Sequence, residues 1–532
     1  MNSASNLGYS LAYSLIFRIN LMNEAKSLAL GRIWRSRSDP RRSAGTRRAE
    51  SDRTGPPARR FRCEPLTNRA WFGLARFDAP GDCERTATRA DARTEKPRAG
   101  RPRDARGAPG RRRPTRTRAL RLTMPAALAV WLNRDRVGTL SNLSGDYNLF
   151  SFDEAYLANE SRPVLSQAFL GTFGNPLAII PRTHRVAPPF FANLLPEEGG
   201  ALRNIVAGQF AINKTRDYPY LRALGQDLPG AIILRELTPD EPEEVVPLDG
   251  PRSTDRPLRF SLAGVQPKFS ASFAANRLTM SATGRGGNWI AKLPTNAYQN
   301  LPENEYRIMS LARAIGLPVP ETHLIDLSSL DGIPESLLPV LRPEESRSVY
   351  IISRFDRTAS AARIHVEDFN QIADQAPADK YEHRTSQWIA NVITALCPQE
   401  DVENYVRRLV FGVCIGNNDM HLKNWAICYP DGRNPRLAPM YDFVCTRYYY
   451  PTADLALTIG GTRSFEAIDL EAIARFATGA EISAKRAQIL ARETVESIRG
   501  AWPGIKSTMT HPPMIAAIER HFSTVPLMQL RR

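Results

Sequence analysis

A break in composition at Met124 restricts this chain more than any other feature. Residues 1–123 hold 29 Lys+Arg against 11 Asp+Glu. From Arg32 the run is mostly Arg, Pro, Ala, Gly, Thr and Asp, ending in Arg111-Arg112-Arg113-Pro114-Thr115-Arg116. Such a stretch cannot bury enough apolar surface to offset the entropy of ordering it. A folded core is therefore expected only in residues 124–532. That body holds 42 Lys+Arg against 44 Asp+Glu, so the formal charge of +16 resides in the leader. Charge then gives no reason to read the body as a nucleic-acid binder. Translation is expected to start at Met124, with residues 1–123 as upstream sequence; a basic arm or a targeting segment are the other readings.

Residues 11–30 are partly apolar, but Arg18, Asn20, Asn23, Glu24 and Lys26 interrupt them, so they cannot span a bilayer. No membrane association is expected. The body's cysteines, Cys397, Cys414, Cys428 and Cys445, form no CxxC pair and read as buried small apolar residues. Their pattern suits a reducing, cytoplasmic setting.

Three stretches follow. In 124–250, Leu128, Val130 and Leu132 recur at strand spacing, and Arg136-Val137-Gly138 reads as the turn into the next strand. A helix is expected from Asp153-Glu154-Ala155, a compact apolar segment over 188–196, and a second helix over 200–211. An acidic, Pro-containing linker follows at 237–244. Residues 251–355 read as strands and hairpins with one helix. Residues 356–532 read as mostly helical, with apolar-periodic runs at 388–393 and 468–474. The fold class is α+β: a small mixed α/β subdomain, a strand-rich lobe and a helical lobe, the layout of a two-lobed kinase.

The chemistry-bearing residues sharpen this. In Gly416-Asn417-Asn418-Asp419-Met420-His421-Leu422-Lys423-Asn424, an Asp precedes an Asn by five positions. Phosphoryl transfer to a hydroxyl needs a carboxylate to orient or take the hydroxyl proton, and an oxygen ligand for magnesium nearby. Kinase catalytic loops space the two this way. Asp419 is the candidate base and Asn424 a candidate metal ligand. Downstream, Pro439-Met440-Tyr441-Asp442 follows an apolar, strand-like run, where a two-strand return would bring Asp442 beside the loop as a second metal ligand. His421 has no second His at helical spacing and is expected to hydrogen-bond within the loop.

On the nucleotide side, Trp289-Ile290-Ala291-Lys292-Leu293 is a short apolar strand with one Lys, suited to pair with phosphates. A half-buried Lys is costly unless paired, and Glu305, or alternatively Glu303, on the following helix is the candidate partner. Ser261-Leu262-Ala263-Gly264 occupies the phosphate-loop position with one Gly, and its backbone N–H groups are candidate phosphate donors.

Together these residues resemble the HipA family of bacterial serine/threonine kinases, the toxin halves of type II toxin–antitoxin modules. The carrying motifs are Ser261-Leu-Ala-Gly-Val-Gln-Pro-Lys268, Ile290-Ala-Lys292-Leu-Pro, Glu303-Asn-Glu305-Tyr306, Ser353-Arg-Phe-Asp-Arg357, Glu367-Asp368-Phe369, the Gly416 to Asn424 run and Tyr441-Asp442. They span about 124–510. The resemblance implies an atypical two-lobed kinase fold, ATP with Mg2+, and a small helix-turn-helix antitoxin of HipB type through which DNA is bound. It implies a hinge at Ser353 and Phe355 facing adenine, a protein substrate such as an aminoacyl-tRNA synthetase, growth inhibition and persistence, and autophosphorylation at Ser261. A kinase of a small molecule or lipid, or a catalytically silent antitoxin-complex module, are the alternatives.

Overall fold

A computed structural model describes residues 126–531, apart from 172–173, 238–267, 275–276, 281–286, 332–337, 340, 343–344 and 361. The leader, most of the acidic linker and the Ser261, Ala263 and Gly264 calls lie outside the described residues.

The first unit of structure is an antiparallel sheet. It is built from β1 (Ala126–Leu132), β2 (Asp135–Leu143) and β3 (Tyr147–Phe152), then α1 (Glu154–Ala158), β4 (Thr183–His184), α2 (Pro189–Ala192), α3 (Ala201–Phe210), α4 (Asp217–Leu224) and β5 (Ile232–Glu236). The strand order is β4-β3-β2-β1-β5. Alternation along β1 sends Leu128, Val130 and Leu132 to the main core, while Ala129 and Trp131 meet Ile233 in a small separate cluster. The β1–β2 turn falls at Asn133-Arg134, with Asn133 at φ 56°, so Arg136-Val137-Gly138 lies inside β2 instead of forming the turn. Asn tolerates that left-handed backbone because its short amide can bond locally. The apolar segment expected at 188–196 supplies Phe190 and Phe191, which pack edge-to-face at 5.2 Å beneath Phe150 and Phe169.

The second sheet holds β6 (Lys268–Ala274), β7 (Arg277–Met280), β8 (Trp289–Lys292), β9 (Thr322–Asp326), β10 (Leu330–Asp331) and β11 (Ser348–Ser353), in the order β10-β7-β6-β8-β11-β9. Between β8 and β9 runs α5 (Leu301–Ala314), with Pro302 in its first turn and Gly316 at φ +81° just beyond its end. β11 is apolar on both faces. Val349 and Ile351 join the core of the first sheet, whereas Tyr350 and Ile352 join α5 and the helical lobe. One strand therefore ties two cores together, and its near-continuous apolar run has that cause.

The remaining elements are β12 (His365–Asp368), α6 (Phe369–Ile372), α7 (Ser386–Leu396), α8 (Gln399–Cys414), β13 (Ala426–Tyr429), β14 (Arg436–Leu437), α9 (Leu470–Gly479), α10 (Ala484–Ser507) and α11 (Pro512–Thr524). α8 places Glu400 and Asp401 in its first turn, where they favour the helix dipole, and buries Val402, Tyr405, Val406, Leu409 and Val413 along one stripe. Two expectations shift. The run at 468–474 becomes helical only from Leu470, because Asp469 caps it by accepting from Ala472 N at 2.8 Å. The strand before Asp442 is only Arg436–Leu437, and residues 438–445 are irregular. Cys414, Cys428 and Cys445 are buried and free, as expected, but Cys397 is half-buried. No described helix is long and apolar enough to cross a membrane.

Charged and polar groups join the first sheet's unit to the rest. Asp227 lies within 3.6 Å of Arg354 and 3.4 Å of Arg357, and all three are buried. Asp356 accepts from Arg354, Arg357 and the Gly230 N–H. This is a network whose members satisfy one another, which is what burial of charge requires.

Candidate active site

α8 ends at Cys414, and two residues on Gly416, at φ +73°, turns the chain sharply into the loop. The loop is then stapled to itself. Asp419 N donates to Asn417 Oδ1 at 3.0 Å, His421 N to Asp419 O at 2.8 Å, and Asn424 Nδ2 to Asp419 O at 2.7 Å. Asn418 N adds a bond of 2.6 Å to Thr446 Oγ1. Because Asn424 spends its amide N–H on the loop, its Oδ1 remains as an acceptor. The half-buried Asp419 carboxylate accepts from Tyr381 OH at 2.7 Å. Burial pushes its pKa up to about 6, against the lowering effects of Tyr381 and Lys380 and with a further rise from the Asp442 charge.

The hairpin of β13 and β14 carries the chain back to Asp442, a non-Gly residue at φ +57°. Such a backbone is uncommon for Asp and fits a residue held by its surroundings. Lys292 donates to Asp442 Oδ1 and, at 2.6 Å, to Glu305 Oε1. Lys268 Nζ lies 3.6 Å from Asp442 Oδ2. The strand register explains this convergence: Lys268 and Lys292 are directly paired residues of β6 and β8. Burial alone would discharge Lys292, but Asp442 and Glu305 outweigh it and hold the ammonium protonated. The Asp442 carboxyl, raised by burial, is brought well below its ordinary range by Lys268 and Lys292. Burial lowers the Lys268 pKa, with Asp442 opposing.

Two ammonium groups side by side repel, and two carboxylates offset them here. An anionic ligand with several oxygens would suit the same place, as would a divalent cation on Asp442 and Asn424 once the lysines turn to that ligand. The donor set thus fits a metal-bound triphosphate. Glu303, the alternative partner of Lys292, points elsewhere and accepts from Ser346 Oγ. A cavity of about 430 Å³ lined by Glu303, Arg307, Met509 and His511 includes none of the candidate catalytic or metal residues.

Ser353 ends β11 opposite Trp289, and its N–H already donates to Glu321 O at 2.8 Å. Phe355 stacks on Tyr441 with ring centroids 5.6 Å apart, which places the hinge candidate against the residue preceding Asp442. His421 bonds within the loop through its main chain, its N–H donating to Asp419 O. Its ring is buried, Nδ1 has no partner among the described residues, and Tyr381 packs on it edge-to-face at 5.0 Å. Burial, with the nearby Lys380 and Lys423 charges, drives its pKa well below the ordinary value, against a hydrogen bond to its own main chain.

Sequence reasoning missed three groups. Lys268 was visible as a motif member, but its place depended on strand register. Tyr381 sits 38 residues from Asp419 in a segment without periodicity. Lys423, within the loop motif, turns away to donate to Asn193 O at 2.9 Å and Asp368 Oδ2 at 3.1 Å.

Comparison with known proteins gives two family matches: the HipA N-terminal domain over residues 128–235 and the HipA-like C-terminal domain over residues 260–502. The candidate kinase Y4dM of Sinorhizobium fredii is 40% identical over 408 residues, covering 75% of this chain and 97% of that protein. A second candidate kinase of that organism, Y4mE, is 28% identical over 410 residues, 70% of this chain and 90% of the relative. Among solved structures, the Shewanella oneidensis toxin–antitoxin complex of HipA, HipB and operator DNA aligns with a TM-score of 0.56 at 20% identity, covering 76% of this chain and 96% of that one.

Proposed function

The chain belongs to the HipA family, and from that membership we propose that it is an ATP-dependent serine/threonine protein kinase of a toxin–antitoxin module. One observation carries the reading: Asp419 and Asn424 share a stapled loop, and Asp442 is held beside Lys292, itself fixed by Glu305. In this reading residues 124–250 form the N-terminal subdomain, 251–355 the nucleotide lobe and 356–532 the helical lobe.

Lys292, oriented by Glu305, and Lys268 bind the phosphates of ATP, and Ser353 and Phe355 face the adenine. Ala263 and Gly264, which lie outside the described residues, are assigned to the same phosphates as main-chain N–H donors. Asn424 and Asp442 would hold Mg2+, which would supply charge neutralisation on the transferring phosphoryl group. Asp419 orients a serine or threonine hydroxyl of the protein substrate and takes its proton as the new O–P bond forms. The bond to the ADP oxygen breaks, and its electrons stay with ADP. A carboxylate with a pKa near 6 is matched to that proton transfer at neutral pH. Family membership supports a cytoplasmic protein whose target is a translation component such as an aminoacyl-tRNA synthetase, with growth inhibition and persistence as consequences. It supports a helix-turn-helix antitoxin of HipB type as partner, with DNA reached through it. Autophosphorylation at Ser261 would add about −1.5 to −2 charges close to where the ATP phosphates bind, and so switch the enzyme off.

The test is to incubate the full chain with γ-labelled ATP, Mg2+ and a bacterial lysate, with Asp419→Asn as control. Label on serine or threonine of a protein, absent with Asp419→Asn, is the expected result. Label confined to metabolites would replace this reading with a small-molecule kinase, and no label at all with a catalytically silent module.

A further inference from the structure

We infer that Tyr381 is a positioning residue for phosphoryl transfer, fixing the Asp419 carboxylate from a segment anchored on the N-terminal subdomain. This rests on the reading of Asp419 as the group that orients the acceptor hydroxyl. The loop's internal bonds, from Asn417, His421 and Asn424, hold the main chain of Asp419 and leave its carboxylate free to rotate. Rotation about that last bond is soft, yet a general base must sit within hydrogen-bonding reach of its proton in one orientation. Among the described residues, the hydrogen bond to the carboxylate comes from Tyr381 OH, 2.7 Å from Oδ1. It occupies one oxygen and leaves Oδ2 for the acceptor.

Tyr381 is itself held from three directions. Its ring meets His421 edge-to-face at 5.0 Å. The neighbouring Lys380 carbonyl accepts from Leu422 N at 3.1 Å, joining the segment to the catalytic loop by main chain. Lys380 Nζ donates to Glu197 Oε1 at 2.6 Å, with both side chains largely buried, so the first sheet's unit grips the same segment. Upstream, Asn193 Nδ2 donates to Gln375 O at 2.9 Å. Gln375 Nε2 closes the segment on itself through Asp379 O at 3.3 Å and Glu382 O at 3.2 Å. Asp374 and His383 bracket the stretch in the left-handed region, at φ 51° and 62°. A segment bonded at both ends and within is a poor plug, since displacing it would break the Leu422 and Glu197 contacts together. Burial and the Asp419 charge keep the phenol protonated, so it donates and does not compete as a nucleophile.

The rival arrangement, with the phenol standing in the acceptor's place as a built-in block, predicts the opposite sign. The experiment measures initial rates of label transfer from γ-labelled ATP into lysate protein by the full chain, with ATP varied. It adds the ATP dissociation constant by calorimetry and the unfolding midpoint. Tyr381→Phe is expected to lower apparent kcat by about 10- to 100-fold, the loss of one hydrogen bond to a charged group. KM for ATP, the dissociation constant and the midpoint should not move. Lys380→Met, which frees the segment from Glu197 but keeps the phenol, is expected to lower kcat severalfold with KM and the dissociation constant for ATP unchanged, and to lower the midpoint because Glu197 loses its partner. An unchanged or increased kcat in Tyr381→Phe overturns the proposal, as does a loss of rate that tracks lost ATP affinity or stability. Asp419→Asn separates the two layers. If it is inactive while Tyr381→Phe behaves as wild type, only the positioning role fails; if it is active, the base assignment fails and takes this role with it.

Discussion

Asp419 and Glu367 are both carboxylates whose pKa burial raises, to about 6 and about 7, and each accepts from a tyrosine hydroxyl, Tyr381 and Tyr429. Their surroundings differ in one respect that matters. Glu367 is fully buried and also accepts from Ser166 Oγ at 2.8 Å and Gln167 N at 3.1 Å, so both oxygens are engaged by neighbours that never leave. Asp419 is half-buried with a bond to one oxygen. A raised pKa therefore does not by itself mark a catalytic acid or base in this molecule. What separates the two is acceptor capacity left open at an accessible face. Glu367 joins the first sheet's unit to β12 and β13, whereas Asp419 keeps the open oxygen that its proposed role as base requires.

The largest effect that would break this contrast is catalytic. Asp419→Asn is expected to lower phosphoryl transfer on the order of 10²–10⁴-fold, the usual contribution of a general base. Its unfolding midpoint should equal or exceed that of the wild type, because a carboxylate disfavoured by burial has been neutralised. Retained turnover, or a variant that unfolds early, would place Asp419 in the same structural class as Glu367.

A second test extends the contrast to a buried pair that is proposed to bind phosphate. Lys292 and Glu305 are almost wholly inaccessible. Removing one partner strands the other, so Lys292→Met should cost about 3–5 kcal/mol of stability as well as phosphoryl transfer. Lys292→Met combined with Glu305→Gln should recover most of the stability in urea unfolding and none of the activity. Equal instability of the single and double variants would mean that packing, and not the stranded charge, dominates at this position.

How much of this was legible in sequence follows from the reach of each bond. The loop from Gly416 to Asn424 closes through partners two and five residues apart, Asn417 with Asp419 and Asn424 with Asp419, so its spacing is written in one short motif. The Lys292 partner on α5 is 13 residues away, within one strand–helix unit, and could be narrowed to Glu303 or Glu305. The side of the helix that faces the strand then decided between them. The contact of Lys292 with Asp442, 150 residues apart, was not read from the sequence, although each residue had been singled out separately for its place in a known arrangement. Tyr381, Lys268 and the Asp227–Arg354 network have no local signature. Strand register and the docking of the first sheet's unit place them, and neither is encoded in a window of residues. The turn at Asn133 was misplaced for a related reason: Asn tolerates the left-handed backbone there, so the more familiar Gly138 was not required for it.

The smallest expected effect concerns pH and Glu367 itself. In the folded chain Glu367 holds its proton up to about pH 7, against an ordinary value of 4.5. The folded state thus binds a proton that the unfolded state has released, and stability falls as pH rises between those two values. His365 lies alongside, stacked on Tyr429 at 5.4 Å, with burial pushing its pKa down from 6.5 to about 4. There the unfolded state binds the extra proton, so stability falls as pH drops through that window. Each group contributes about 3 kcal/mol over its full range, and between roughly pH 4.5 and 6.5 the two slopes oppose and nearly cancel. Glu367→Gln removes one slope and leaves the other. Subtracting the variant's urea-unfolding free energy from that of the wild type cancels every other titrating group. The difference should favour the wild type progressively as pH falls from 7 to 4.5, by about 3 kcal/mol in all. Parallel curves would show that Glu367 is ionised in the folded state, held by Ser166, Gln167 and Tyr429 strongly enough to outweigh its burial. Its resemblance to Asp419 would then end at the tyrosine.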